Sequence, residues 1–512
     1  MKTKKKLLTV LSLVATVGAL LGTVSCNVSS SSSSSTSNTN SNNNSSTGVT
    51  SSAGITGADL NPHAGSWLIP ESGFDTETPV EINFYSTMGQ NLQEVYDLYY
   101  EEFHELYPNI TVNHTQPGSY DDVRDQIKTE LAVGNGPDVA YCYPDHVALY
   151  NTSRSVITLD NLMDTKLKVN DKEVGLTDEQ LDDYVDGYFE EGYAFGDGKL
   201  YTLPFSKSTE VLYYNKTVFN TLKLEVPDHW FSTGTEDKTS MEYVCAKLKE
   251  AYPDCTPLGY DSEANWFITM CEQLKAPYTS ASGEKFRFNN DQNKDFVKKF
   301  KTMYDKGYFT TQTKYGAYTS GAFVNVDPTA TTSYMSIGSS AGATHQRPTK
   351  VDGAYPFDVG IAPIPQADAN NKKAISQGPS VCILNHNDPQ KVIASWLFVK
   401  FLTTSVEFQA EFSIKSGYIP VLKSVQDNPV YKAHLAKADG GDNIAALSSK
   451  VCVEQADTYY TSPAFVGSSE ARDQVGKVFV GVLDLNASDA DYNTKVDKLF
   501  SDAIEECKYA AE

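Results

Sequence analysis

At 512 residues the chain exceeds what one ordinary hydrophobic core serves, so two or more domains are expected. Hydrophobic residues make up 40% and charged residues 21%, a globular balance, and the formal charge of −23 excludes nucleic acid or an anionic membrane face as the main partner, since both need a cationic surface. The 31 tyrosines and 23 phenylalanines are core rings for the most part, and tyrosine also makes flat walls carrying a hydroxyl.

Residues 1–25 read as an export signal. Lys2, Lys4, Lys5 and Lys6 form the positive end, 7–21 the apolar run, and small residues around Ser25 suit cleavage. The stretch Leu21-Gly22-Thr23-Val24-Ser25-Cys26 resembles a bacterial lipobox, with Thr23 where the usual pattern has leucine. That resemblance implies a diacylglycerol on Cys26, with the body held at the extracellular face of the cell membrane. Residues 29–48 contain only Ser, Thr, Asn and Gly and have nothing apolar to bury, so 26–78 is assigned to a disordered tether.

Folded protein is expected from Pro79. Residues 80–85 (VEINFY) read as a strand. Leu92, Val95, Tyr99, Phe103 and Leu106 recur every three or four positions, an amphipathic helix stopped by Pro108. Residues 110–112 form a second strand. Asp121 is placed as the cap of a helix with Val123, Ile127 and Leu131 on one face, ended by Gly134-Asn135-Gly136-Pro137. Residues 138–143 are a third strand. This β-α-β-α-β order implies a parallel sheet covered by helices, with ligands beyond the carboxyl ends of its strands.

Residues 151–195 are acidic, helical and otherwise plain. At 198–219 (GKLYTLPFSKSTEVLYYNKTVF) two extended runs are parted by Ser206-Lys207-Ser208-Thr209. A polar, non-helical break of this kind suits a chain crossing between two lobes, with its hydroxyls and lysine free for a ligand; an ordinary surface hairpin is the alternative. Residues 241–252 and 296–304 have helical spacing. Residues 333–342 (SYMSIGSSAG) form a strand and a Gly-Ser turn whose N–H groups and hydroxyls suit an oxygen-rich ligand. Residues 357–365 are another apolar strand, 375–384 (ISQGPSVCIL) a return crossing, and 390–402 a helix with Val392, Trp396, Val399 and Phe401 apolar. Ser416-Gly417-Tyr418-Ile419-Pro420 follows.

VEINFYSTM, the Gly-Asn-Gly-Pro-Asp-Val run at 134–139, GKLYTLPF and the Gly-Tyr-Xaa-Pro pattern at 417–420 occur in an order that resembles the extracellular solute-binding proteins (family 1) of bacterial ABC importers, a family with sugar-binding and glycerol-phosphate-binding members. The resemblance covers about 79–509. It implies an α/β, two-lobe periplasmic-binding-protein-like fold of type II, each lobe a mostly parallel sheet flanked by helices, with the ligand cleft and hinge between them. Lobe 1 is expected from 79–206 with 374–405, and lobe 2 from 207–373 with 406–509. By position in the family, Tyr120, Asp145, Ser208, Trp266, Ser339, Ser340, Gly378, Ser380, Tyr418 and Arg472 are the cleft candidates. Trp266 reads equally well as a core residue, and Arg472 as a surface charge paired with Glu470 or Asp473. Pro144 stands where glycerol-phosphate binders tend to carry glutamate, which turns the expectation toward a neutral carbohydrate. The implied partners are that ligand, the importer's membrane subunits and, through the anchor, the membrane; the body is expected to be a monomer.

An exported enzyme is the competing class. No GxSxG, HExxH or Walker-type motif is present, no two histidines have metal-ligand spacing on one helix, and 484–491 lacks the glycine and terminal glutamate of a calcium loop, so no catalytic residue, metal or cofactor is assigned. A lipid-anchored adhesin is the third class. Cys142, Cys245, Cys255, Cys271, Cys382, Cys452 and Cys507 lack zinc spacing and are expected as small core residues, with Cys245–Cys255 or Cys255–Cys271 as possible bridges.

Overall fold

The computed structural model describes residues 67–511 apart from 152–154, 196, 235 and 328. The signal, the lipobox with Cys26 and most of the tether lie outside the described residues. The tether's expected end at 78 moves back: Trp67 is 2% exposed, its backbone N–H donates to Thr158 Oγ1 at 3.0 Å, and its carbonyl accepts from the Asn161 side chain. Trp67, Ile69 and Phe74 bring apolar surface to a segment that follows a run with none, and they pack on the first core.

Five strands form each of two sheets. The first runs Ile110–Thr115, Val80–Tyr85, Val139–Cys142, Ser380–Ile383, Leu203–Pro204. Its first three strands are parallel, in the β-α-β-α-β order read from the sequence. The helix Tyr120–Leu131 between them is capped by Ser119 rather than Asp121: the Ser119 hydroxyl accepts from Asp122 N–H, and the Asp122 carboxylate accepts from Ser119 N–H. The second sheet runs Val359–Pro363, Glu210–Asn215, Met335–Ser339, Leu258–Tyr260, Phe309–Thr311.

Both sheets are mixed rather than mostly parallel. Ser380–Ile383 runs against both of its neighbours, and so does Glu210–Asn215. Each of these strands enters its sheet from the junction between the lobes. Ser380 pairs with Cys142 and Glu210 with Ser339, the carboxyl-end residues of parallel strands, so the newcomer has to run the other way.

There are two cores, and the first also takes Val211, Tyr213, Val359 and Ile361 from the second sheet. Ile82, Phe84, Ile110, Tyr141, Ile383 and Phe398 lie in the first; Leu212, Leu258, Trp266, Phe300, Ile337 and Phe479 lie in the second. The stretch just after residue 406, expected on the second lobe, packs on the first. Helix Val406–Ser416 lies against Gln90–Leu106 and Pro389–Thr404, with the Phe408 ring 5.3 Å from Tyr99 and the Phe412 ring 5.4 Å from Phe205. Its buried phenylalanines find the nearer core. The chain returns to the second sheet with Ile444–Glu454, and Ser468–Asp484 then packs along Glu263–Leu274.

Several chain passes meet at the junction. Ser208 and Gln377 exchange backbone hydrogen bonds of 2.7 and 2.9 Å, and Lys207 and Ile419 pair in the same way. Ala374–Ile375 pairs with Tyr459–Tyr460. Gly378 is needed here: its φ is +98°, and a Cβ would lie 2.6 Å from the Ser206 carbonyl oxygen.

Candidate ligand-binding site

The polar break Ser206-Lys207-Ser208-Thr209 does cross between the lobes, but it is sealed. All four residues are at most 3% exposed. The Lys207 ammonium is bonded to the Glu191 carboxylate, to Ser380 Oγ at 3.0 Å and to the Gly378 carbonyl at 3.4 Å. Thr209 Oγ1 donates to the Ile375 carbonyl, and its N–H donates to Ser340 Oγ at 3.1 Å. A charge so deep needs a partner and further hydrogen bonds, and the neighbouring passes supply them.

That arrangement accounts for five of the ten candidates. Ser208, Gly378 and Ser380 tie the two crossings together. Ser340 is fully buried and joins the crossing to Ile444–Glu454, its carbonyl accepting from Ser448. Ser339 caps the turn at Ala341, and its carbonyl accepts from the Tyr213 hydroxyl. None of these five lines the interlobe pocket. Trp266 does not line it either. Its ring is 0% exposed and lies 4.5 Å from Tyr260, 5.2 Å from Trp230 and 4.5 Å from Phe300. The core alternative for this residue holds, because helix Glu263–Leu274 is buried along most of its length.

A pocket of about 590 Å³, counting its open mouth, does form between the lobes. Tyr143, Pro144 and Asp145 enter it from the carboxyl end of Val139–Cys142, as the strand order implied. Arg472 and Ser468 enter from the first turns of Ser468–Asp484, and Ile268, Tyr278 and Thr279 from the second lobe's interior helix and the loop after it. The floor comes from the crossings, Ile375, Ser376 and Gln377 on one and Thr461, Ser462 and Pro463 on the other, with Glu191 beside them. Of the ten candidates, Asp145 and Arg472 line it. Tyr120 and Tyr418 stand next to it: their hydroxyls are 2.9 Å apart, and the Tyr120 ring stacks on Tyr143 at 5.0 Å.

Arg472 is neither a surface charge nor paired with Glu470 or Asp473. Its guanidinium donates to Asn265 Oδ1. Burial works against its charge, but the field of Asp145, aided by Tyr278 and Tyr143, outweighs burial and raises its pKa further. Asn265 in turn donates at 2.9 Å to both Glu210 and Gln377. The Glu210 carboxyl also accepts from Tyr260; burial pushes its pKa up to about 7 against the pull of Tyr260, Asn265 and Arg472.

Thr279 Oγ1, Ser376 Oγ and Ser462 Oγ are buried atoms of the pocket wall without a hydrogen-bond partner among the described residues. A buried hydroxyl left so costs about 1–3 kcal/mol, so the wall is set for a ligand that brings donors and acceptors. Sequence reading missed these three, and Tyr278 with them. The signal for Ser462 was available: Tyr459-Tyr460-Thr461-Ser462-Pro463 repeats the pattern of a β-rich pair followed by a polar break seen near residue 206.

The family model described as "Bacterial extracellular solute-binding protein" matches residues 99–438. The chain belongs to that family. The sn-glycerol-3-phosphate-binding periplasmic protein UgpB of Escherichia coli is 25% identical over 378 residues, 70% of this chain and 78% of that protein. Among solved structures, the GacH receptor of Streptomyces glaucescens, studied unliganded and with acarbose, matches with a TM-score of 0.64 at 16% identity over 84% of this chain and 99% of its own. UgpB from Mycobacterium tuberculosis, in complex with glycerophosphocholine, matches with a TM-score of 0.63 at 18% identity over 84% and 98%. Maltose-bound T. maritima MalE3 matches with a TM-score of 0.61 at 16% identity over 84% and 99%. At these identities the likeness to the solved structures is one of fold. It places the chain among proteins with a two-lobe α/β fold. Among the described residues no helix is long and apolar enough to cross a membrane, and no group of side chains is arranged to hold a metal ion.

Proposed function

We propose that this protein captures a neutral carbohydrate in the interlobe pocket and delivers it to the membrane subunits of an ABC importer. The observation that carries the ligand class is the set of three partnerless hydroxyls beside a charge-balanced wall. Glu191 is neutralised by Lys207, and Arg472 faces Asp145. A phosphate dianion would meet one guanidinium whose charge a carboxylate already offsets. A sugar meets donors and acceptors in number, and tyrosine faces to stack on. Ligand contacts to Asp145 on one lobe and Arg472 on the other would favour the closed form, which the importer would recognise. In this reading the body works as a monomer, performs no chemistry, and is leashed to the outer face of the membrane by a lipid on Cys26.

Glycerol-3-phosphate or a glycerophosphodiester is the second reading. Arg472 in the pocket favours it, together with the curated relative named for that ligand. A thermal-shift panel of mono- and oligosaccharides, glycerol phosphates and glycerophosphodiesters separates the two. A ligand at a hundred times its Kd adds about 2.7 kcal/mol of stability. Stabilisation by a saccharide is expected; stabilisation only by phosphorylated glycerols refutes the carbohydrate reading.

A further inference from the structure

Glu210 is the first residue of the strand that leaves the crossing, and its carboxylate lies within the second lobe at 1% exposure. Nothing about a cleft requires a carboxyl group there. An apolar side chain would pack against Tyr260 without desolvating a charge. The groups that face it are Tyr260 and Asn265, which donate to its two oxygens, with Arg472, Asp261 and Tyr460 around them. Two donors on two oxygens is the pattern of an ionised carboxylate.

Asn265 is the branching point. One amide nitrogen serves both Glu210 and Gln377, while the carbonyl oxygen of the same side chain receives Arg472. Gln377 lies on the return crossing and lines the pocket, and its backbone pairs with Ser208 on the outgoing one. A carboxamide has a donor end and an acceptor end. Whatever fixes the donor end toward Glu210 fixes the acceptor end toward Arg472.

We propose that Glu210 is a positioning residue for the interlobe site: in its ionised form it holds the Asn265 carboxamide in the orientation that aims Arg472 into the pocket, so that proton binding at Glu210 loosens the site. This rests on the reading of the pocket as the ligand site. Protonation replaces one acceptor oxygen by a donor, so Tyr260 or Asn265 loses its acceptor and the carboxamide is free to turn. Burial has moved this proton equilibrium to about 7, into the physiological range, so the coupling operates between pH 6 and pH 8. The sign for stability is opposite to that for affinity. A carboxyl whose pKa is raised on folding binds more protons folded than unfolded between about 4.5 and 7, so the ligand-free protein loses stability as pH rises through that range.

The test compares the wild-type protein with Glu210→Gln, using maltose as the probe for calorimetric titration at pH 6 and pH 8, and ligand-free melting across the same range. The wild type is expected to bind maltose at least threefold more tightly at pH 8 than at pH 6, with Glu210→Gln flat. Ligand-free, the wild-type melting temperature falls relative to that of Glu210→Gln from pH 6 to pH 8. An equal pH dependence of affinity in both proteins overturns the proposal and leaves the pocket reading standing. If maltose binds neither protein, the melting curves decide: parallel curves, or a wild-type curve that rises relative to Glu210→Gln, overturn the proposal, and a wild-type curve that falls relative to Glu210→Gln from pH 6 to pH 8 supports it. Glutamine keeps the size of the side chain, and Glu210→Asp serves as the rescue control if glutamine impairs folding, with the pH dependence expected to return.

Discussion

Replacing Lys207 by methionine tests what the crossing segment is for. The Lys207 side chain is 0% exposed and that of Glu191 is 4% exposed. Methionine keeps the unbranched stem and its apolar packing, so the change is almost purely electrostatic. It leaves the Glu191 carboxylate buried without its cation, and breaking such a pair costs about 3–5 kcal/mol. Ser380 Oγ loses a donor as well, which adds about 1 kcal/mol. The expected loss of about 4–6 kcal/mol raises the unfolding constant by roughly three to four orders of magnitude. Urea unfolding at pH 7, followed by near-UV circular dichroism, measures it. The double variant Lys207→Met with Glu191→Leu should recover most of the loss, because a packed apolar pair replaces an ion pair at little net cost. A Lys207→Met loss below about 1 kcal/mol would refute the sealed crossing. Unchanged stability with abolished ligand binding would return Lys207 to the ligand, where the polar break by itself had placed it.

Trp266→Ala is expected to cost about 3–5 kcal/mol in the same assay, as for a large aromatic deleted from a packed core; a fully stable variant with lost affinity would move the ring back to the pocket. Tyr418→Ala removes the hydroxyl that meets Tyr120 at 2.9 Å and should weaken ligand binding at least tenfold, about 1.4 kcal/mol, with the fold intact; unchanged affinity by calorimetry removes Tyr418 from the site. All seven described cysteines are buried and unbridged, and burial raises the thiol pKa of Cys255 and Cys452 to about 11. Ellman's reagent should therefore label none in the native protein and all seven in guanidinium, and rapid native labelling would contradict the burial.

Much of the architecture was legible in order and period. The recurrence at Leu92, Val95, Tyr99, Phe103 and Leu106 marked a helix, and the alternation at 80–85 marked a strand, because each element has to present its apolar side to one core. The polar break at 206–209 and the return crossing at 375–384 marked where the chain leaves one sheet for the other, since a polar, non-helical run interrupts the apolar pattern that each core requires. Tertiary structure decided which polar groups were spent and which were free. Lys207, Ser340 and Ser380 look available in one dimension, but segments far away in sequence come to meet them and use up their hydrogen bonds. Trp266 has the same local signature whether it faces a sugar or five aromatic rings. The free hydroxyls of Thr279, Ser376 and Ser462 belong to three separate segments that share a wall only after folding. Local pattern determines which elements form, because periodicity is a property of neighbouring residues. Burial and hydrogen-bond satisfaction, which make a ligand site, are properties of segments that meet only in the folded chain.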